Sequence, residues 1–159
     1  MDNDALYILL AEDDEDDRLF FKEALQDIKV KTFIDFVNDG SQLMNYLNQP
    51  NVRMPNMVFL DLNMPLKSGL QCLTEIRSNN RLKDLAIVIY STSASEEDVE
   101  EAFVNGANIY IKKLNDFLLL KTTLARVINL NWQYHTLGLN KENFLLSINY
   151  FKHGEDSKL

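Results

Sequence analysis

The chain has 159 residues, a formal net charge of −8 and 46% apolar side chains, which fits one globular domain that buries roughly two-thirds of its unfolded surface. The acidic balance disfavours nonspecific nucleic-acid binding and polybasic contact with a membrane surface, because phosphates would be repelled, and it favours a divalent cation wherever acids cluster. A single cysteine, Cys72, allows no internal disulfide and points to a reducing cytoplasm, the acidic Met1–Asp4 start lacks the basic region of a secretion signal, and no apolar run nears the ~18–20 residues of a membrane span.

Leu6–Ala11 is a continuous apolar run, the pattern of a strand buried on both faces. Six consecutive acids follow, Glu12 to Asp17, which read as a solvated run feeding the first turn of a helix, where the dipole favours negative charge. Leu19, Phe20, Ala24, Leu25 and Ile28 give that helix its expected inner face. Val30–Val37 predicts a second strand. Asn38-Asp39-Gly40 signals a turn, with Ser41 the expected cap of a second helix carrying Leu43, Tyr46 and Leu47 inward. Pro50 and Pro55 bound a loop before the third strand, Met57–Leu60, which stops at Asp61; Met64-Pro65 bars its continuation.

After Lys67-Ser68-Gly69 the spacing of Leu70, Leu73 and Ile76 predicts a third helix ended by Asn79-Asn80, with Cys72 a small packed residue. Ala86–Tyr90 predicts a fourth strand, followed by the hydroxyls of Ser91, Thr92 and Ser93. Ser95 to Asp98 resembles a capping box at the start of a fourth helix with Val99, Ala102 and Phe103 inward and Gly106 at its stop. Ile109–Ile111 predicts a fifth strand leading into Lys112-Lys113. Asn115 or Asp116 can cap a last helix marked by Phe117, Leu120, Leu124, Val127 and Ile128. The pattern lapses near Gln133. Leu139, Phe144, Leu145, Leu146, Ile148, Tyr150 and Phe151 are too apolar for a free tail, so residues 1–132 are expected to form the domain and 133–159 an extension packed on it or on a partner. His135 and His153 read as scattered surface residues.

Five strands alternating with five helices imply an α/β domain, a doubly wound five-stranded parallel sheet with helices on both faces. Ligands bind such sheets beyond the carboxyl ends of the strands. Glu12 and Asp13, Asp61, Ser91 and Lys113 stand at those ends. Alternation along the fifth strand sends Lys112 and Lys113 to opposite faces, and spacing from Gly106 favours Lys113. Taken alone, Asp61 is also a common turn residue after a strand. Together, the carboxylates need a cation; their all-oxygen character suits Mg²⁺, to which Asn63 can add a ligand. A carboxylate beside Mg²⁺, a lysine and a hydroxyl is equipped to accept a phosphoryl group.

These residues, with Asp61-Leu62-Asn63-Met64-Pro65 and Gly106-Ala107, make the stretch from about Tyr7 to Leu130 resemble the receiver domain of two-component response regulators. The resemblance implies a flavodoxin-like fold and a single-domain regulator. Asp61 would take a phosphoryl group from a sensor histidine kinase or phosphotransfer protein and signal through protein contact. It implies that Asp13, Asp61 and the Asn63 carbonyl hold Mg²⁺, with Glu12 acting through water, that Ser91 and Lys113 bind the phosphoryl oxygens, and that Tyr110 is the aromatic that changes exposure on activation. A homodimer is expected through the face of the fourth helix, fifth strand and fifth helix (Phe103, Tyr110, Phe117, Leu118). Leu114 stands where the family usually has proline, so a trans bond is expected there, and Ser91 where threonine is commoner. The extended tail and Leu114 resemble receivers that partner phytochrome-type kinases. Other readings are a Mg²⁺-dependent phosphohydrolase with Asp61 as nucleophile, opposed by the placement of the acids; a flavin site, opposed by the lack of a glycine phosphate loop; and a scaffolding pseudo-receiver, opposed by the retained Asp61 and Lys113.

Overall fold

Four of the five strand segments pair side by side because they are buried on both faces and must be covered twice, whereas Thr32–Val37 alternates and lies at the sheet edge. The computed structural model describes residues 5–134. Its elements are β1 (Leu6–Ala11), α1 (Glu15–Gln26), β2 (Thr32–Val37), α2 (Gly40–Leu47), β3 (Met57–Leu60), α3 (Gly69–Ser78), β4 (Ala86–Ser91), α4 (Glu96–Val104), β5 (Ile109–Lys112) and α5 (Phe117–Tyr134). The strands form one sheet in the order β2-β1-β3-β4-β5. Every pairing is parallel, with Leu10 opposite Phe59 and Phe36, Leu60 opposite Ile89, and Ser91 opposite Lys112. This is the doubly wound architecture expected from the sequence. The helix α5 runs to Tyr134, two residues beyond the expected boundary at 132, and the expectations for the tail, including His135 and His153, lie outside the described residues.

Alternation along the strands divides the core in two. Leu9, Val58, Leu60, Ile87 and Ile89 pack against α2, α3 and α4 through Leu43, Leu47, Cys72, Leu73, Ile76 and Ala102. Leu6, Ile8, Leu10, Phe59 and Val88 pack against α1 and α5 through Phe21, Leu25, Leu120, Leu124 and Val127. The inner face of α1 is rotated from the one expected. Phe21 is buried edge-on against Phe59 at 4.9 Å, while Leu19 is 56% exposed. Asp14 caps the helix, which starts at Glu15. This phase brings Phe21 over the sheet, where full burial of such a side chain contributes roughly 1.5–3 kcal/mol.

The caps of α2 and α4 differ in detail from expectation. Asp39, not Ser41, caps α2, its carboxylate accepting from the Gln42 N–H at 2.8 Å. The better box is at α3, where Ser68 and Gln71 satisfy each other's backbone N–H groups. At α4 only half of a box forms: Ser95 Oγ accepts from the Asp98 N–H at 3.1 Å, but the Asp98 carboxylate accepts from the Ser93 hydroxyl instead. Asp116, rather than Asn115, accepts from the Leu119 N–H at the start of α5. Gly106 closes α4 at φ +98°, a left-handed value that favours glycine. Arg77 then ties this turn to the rest: its guanidinium donates to the carbonyls of Gly106, Lys83 and Leu85 and to Asn108 Oδ1, at 2.7–2.9 Å.

Candidate functional site at the carboxyl edge of the sheet

Backbone pairing runs one residue past three of the strands and fixes what lies there. The Glu12 N–H donates to Val37 O at 3.0 Å, the Asp61 N–H to Ala11 O at 3.2 Å and the Lys113 N–H to Ser91 O at 2.7 Å. Glu12, Asp61 and Lys113 are thereby carried to the same rim of the sheet. Gly69, the first residue of α3, lets that helix approach the rim: its N–H donates to Leu62 O at 3.1 Å, and a β-carbon on it would stand 2.2 Å from Asp61 O.

The Asp61 side chain is 7% exposed. Its Oδ1 accepts from the Asn63 N–H at 3.0 Å, and its Oδ2 accepts from Lys113 Nζ at 3.1 Å. Lys113 Nζ also meets Glu12 Oε1 and Asp17 Oδ2 at 3.0 Å, and lies 5.4 Å above the Tyr90 ring. Lys113, not Lys112, therefore enters the site; Lys112 is exposed. Burial alone would lower the affinity of this ammonium for its proton, but the carboxylates of Glu12, Asp17 and Asp61 outweigh it and hold its pKa above the ordinary lysine value.

Glu12 is fully buried. Burial pushes its pKa up to about 7, the neighbouring Asp61 adds to the rise, and Lys113 opposes it, as does the Asp14 N–H that Glu12 Oε2 accepts at 3.2 Å. Three acids thus crowd one small volume: one carboxylate oxygen each from Glu12, Asp13 and Asp61 lies within 4.8 Å of the other two. Asp13 is exposed and leaves the group open to solvent. An all-oxygen set of this size, whose like charges repel one another, fits a hard divalent cation such as Mg²⁺. Asn63 is exposed on the adjoining loop, its N–H turned to Asp61.

Ser91 ends β4 fully buried, its Oγ accepting from the Ser93 N–H at 3.3 Å. Tyr110 is also fully buried, and its hydroxyl donates to Ser93 O at 2.7 Å; burial, then the Asp98 charge, raises its pKa. The expected surface face of α4, β5 and α5 is accordingly smaller than the sequence suggested. Tyr110 lies inside, Phe103 is half-buried against the core, and Phe117 turns to the other side of the sheet, edge-on to Phe20 at 5.7 Å. Leu118 alone of the four named residues is well exposed, at 67%. The Lys113–Leu114 bond is trans.

Sequence reasoning missed Asp17, which it left among the solvated acids of the first turn of the helix. The signal was there in part: a cap at Asp14 makes Asp17 the third helical residue, facing back toward the strand ends. It also missed Gly69, since the need for glycine comes from a contact between segments and not from a turn signal.

The sequence pattern of the response regulator receiver domain matches residues 8–125. The chain is 34% identical over 110 residues to response regulator Rcp1 of Synechocystis sp., covering 67% of this chain and 75% of that protein. It is 31% identical over 127 residues to a probable methanogenesis regulatory protein, FilR2, of Methanothrix harundinacea, covering 78% of this chain and 82% of that one. Among solved structures, the phosphorylated cyanobacterial phytochrome response regulator RcpA superposes with a TM-score of 0.73 at 33% identity, over 81% of this chain and 94% of that one. The Mn²⁺-bound form of Rcp1 superposes with a TM-score of 0.71 at 29% identity, over 85% and 99%.

Proposed function

Because the chain belongs to the response regulator receiver domain family, a family of phosphorylation-dependent signalling modules, we propose that Asp61 is its phosphoacceptor and a histidine kinase or phosphotransfer protein its donor. The observation that carries this reading is the buried Asp61 carboxylate held by Lys113 beside the oxygens of Glu12 and Asp13. An Asp61 oxygen attacks the phosphorus of a phosphohistidine, the P–N bond breaks, and its electron pair leaves on the imidazole nitrogen, which takes up a proton. Lys113 stabilises charge on the phosphoryl oxygens in flight, and the Ser91 hydroxyl donates to one of them. Glu12, Asp13, Asp61 and the Asn63 carbonyl would hold Mg²⁺, which when bound neutralises charge on the transferring group.

The added group carries about −2 charge and draws the loops after β4 and β5 inward around Ser91 and Lys113. Tyr110 follows the β4–α4 loop through its bond to Ser93 O and transmits the change to the face of α4, β5 and α5. A homodimer or a downstream protein reads that face, with Leu118 as its apolar contact. RcpA is a phytochrome response regulator, which supports a phytochrome-type kinase as the donor. No described helix is long and apolar enough to cross a membrane, and the reading places the protein in the cytoplasm, without nucleic-acid contact. Residues 1–132 are its receiver domain, and 133–159 an extension that contacts the domain or a partner.

Intact-mass measurement after incubation with Mg²⁺ and acetyl phosphate tests the assignment. One added phosphoryl group is expected, absent with EDTA and absent in Asp61→Asn. An undiminished adduct in that variant overturns the role of Asp61. Light scattering with and without beryllofluoride tests the dimer, which an unchanged monomeric mass would reject.

A further inference from the structure

A protonated lysine has three N–H donors, and Lys113 meets three carboxylates, those of Glu12, Asp17 and Asp61. Two of the three belong to the oxygen cluster with Asp13, and Asp17 does not. The ammonium holds one oxygen of Glu12 and one of Asp61, so a divalent cation entering that cluster shares these two carboxylates with it. Asp17 gives the ammonium an anionic partner outside the cluster. Its place is fixed from the sequence: its N–H donates to the capping Asp14 Oδ1 at 2.9 Å in the first turn of α1. Its side chain is 41% exposed while that of Lys113 is 9% exposed, so Asp17 stays in contact with water and the buried ammonium depends on its neighbours for compensation.

We propose that Asp17 is a positioning residue for Lys113, drawing the ammonium off Glu12 and Asp61 so that those carboxylates are available to Mg²⁺. Without Asp17, the ammonium has only the two cluster carboxylates to compensate it and settles on them more firmly, in direct competition with the metal. The inference rests on the metal-site reading above, and the experiment separates the two.

Mg²⁺ affinity is measured by titration calorimetry on the full chain, without phosphodonor, for wild type, Asp17→Asn, Lys113→Met and the double variant. Asp17→Asn is expected to weaken Mg²⁺ binding about two- to fivefold in the wild-type background, the equivalent of a part-exposed ion pair, and by less in the Lys113→Met background. Asp17→Glu, which keeps the carboxylate, is expected to recover part of the affinity. An equal or larger loss when Lys113 is absent means that Asp17 acts through its own field, and overturns the proposal; so does no loss in the wild-type background. Lys113→Gln supplies the same comparison should the methionine variant not fold. A wild type that binds no Mg²⁺ overturns the metal site and this role together, whereas a binding wild type with background-independent losses overturns this role alone.

Discussion

Gly69 and Asp61 meet backbone to backbone: a β-carbon on Gly69 would lie 2.2 Å from the Asp61 carbonyl oxygen and 2.9 Å from Leu62 Cα. No flexible side chain is available to give way there. Gly69→Ala must therefore push the start of α3 away from the end of β3, breaking or stretching the 3.1 Å bond from the Gly69 N–H to Leu62 O. The expected cost is about 1–3 kcal/mol, as for other overpacked sites, read from urea denaturation. Asp61 moves with the backbone, and shifts near 1 Å slow reactions by about tenfold or more. Phosphorylation by acetyl phosphate should slow accordingly, and a variant with wild-type stability and rate would show that the two segments part without consequence.

Arg77 is the second place where one side chain joins distant segments. Its four bonds reach Gly106 and Asn108 beyond α4 and Lys83 and Leu85 before β4, and its stem packs 3.1 Å from where a Gly106 β-carbon would be. Arg77→Ala strands several carbonyls at once and should cost about 2–4 kcal/mol. Arg77→Lys keeps the charge but not the planar fork, and should recover less than half of that loss. Chemical denaturation of the three proteins checks both, and full recovery by lysine would assign the effect to charge alone.

What could be read from the chain follows from how local each cause is. β1, β3 and β4 were legible because each is a short run buried on both faces, and β1 and β3 fall where the apolar residues do, Leu6–Ala11 and Met57–Leu60. The position of Glu12, Asp61, Ser91 and Lys113 at one rim followed from the alternation of strand and helix, which leaves the order β2-β1-β3-β4-β5 open. Helix phase was less legible: Leu19 and Phe21 compete for the inner face of α1, and contact with Phe59 and Tyr90 decides for Phe21. Tyr110 was placed on the outer face by the family resemblance, which makes it an aromatic of changing exposure. Here the hydroxyl finds Ser93 O, a partner 17 residues away that no local pattern reveals. Asp17 was hidden by its company, since nothing distinguishes one acid among six until the lysine is in place.

Cys72 makes a test of packing that is independent of the site. The thiol is fully buried and lies 3.4 Å from Gly40 O. Burial raises its pKa to about 11 from the ordinary 9.0, with Lys67 opposing and Glu75 and Asp39 adding to the rise. The folded state thus binds this proton more tightly than the unfolded state. Its contribution is fully present below pH 9 and is lost as pH rises through 11. Cys72→Ala should lose stability less steeply than the wild type over that window, by up to about 2–3 kcal/mol, whatever its stability at neutral pH. The native thiol should also resist maleimide at pH 7–8 until denaturant is added. Parallel pH profiles for the two proteins, or rapid native labelling, would contradict the burial.

Tyr110 links the site to the loop that leads to α4. Its hydroxyl holds Ser93 O, Ser93 Oγ is bonded to Asp98 in the first turn of α4, and the Ser93 N–H reaches back to Ser91 Oγ. The β4–α4 loop is therefore clasped from the strand side by one phenol and from the helix side by one carboxylate. Tyr110→Phe removes the first clasp and keeps the ring, at a cost of about 0.5–1.5 kcal/mol. Hydrogen exchange should accelerate in peptides spanning residues 91–98 and stay unchanged in β1, which shares no bond with the loop. Phosphorylation at Asp61 would draw Ser91 and its loop away from the same clasp, so the difference in exchange between phosphorylated and unphosphorylated protein should shrink in Tyr110→Phe. An undiminished difference would show that the phenol takes no part in coupling Asp61 to the outer face, and that the signal passes through Asp98 and α4 instead.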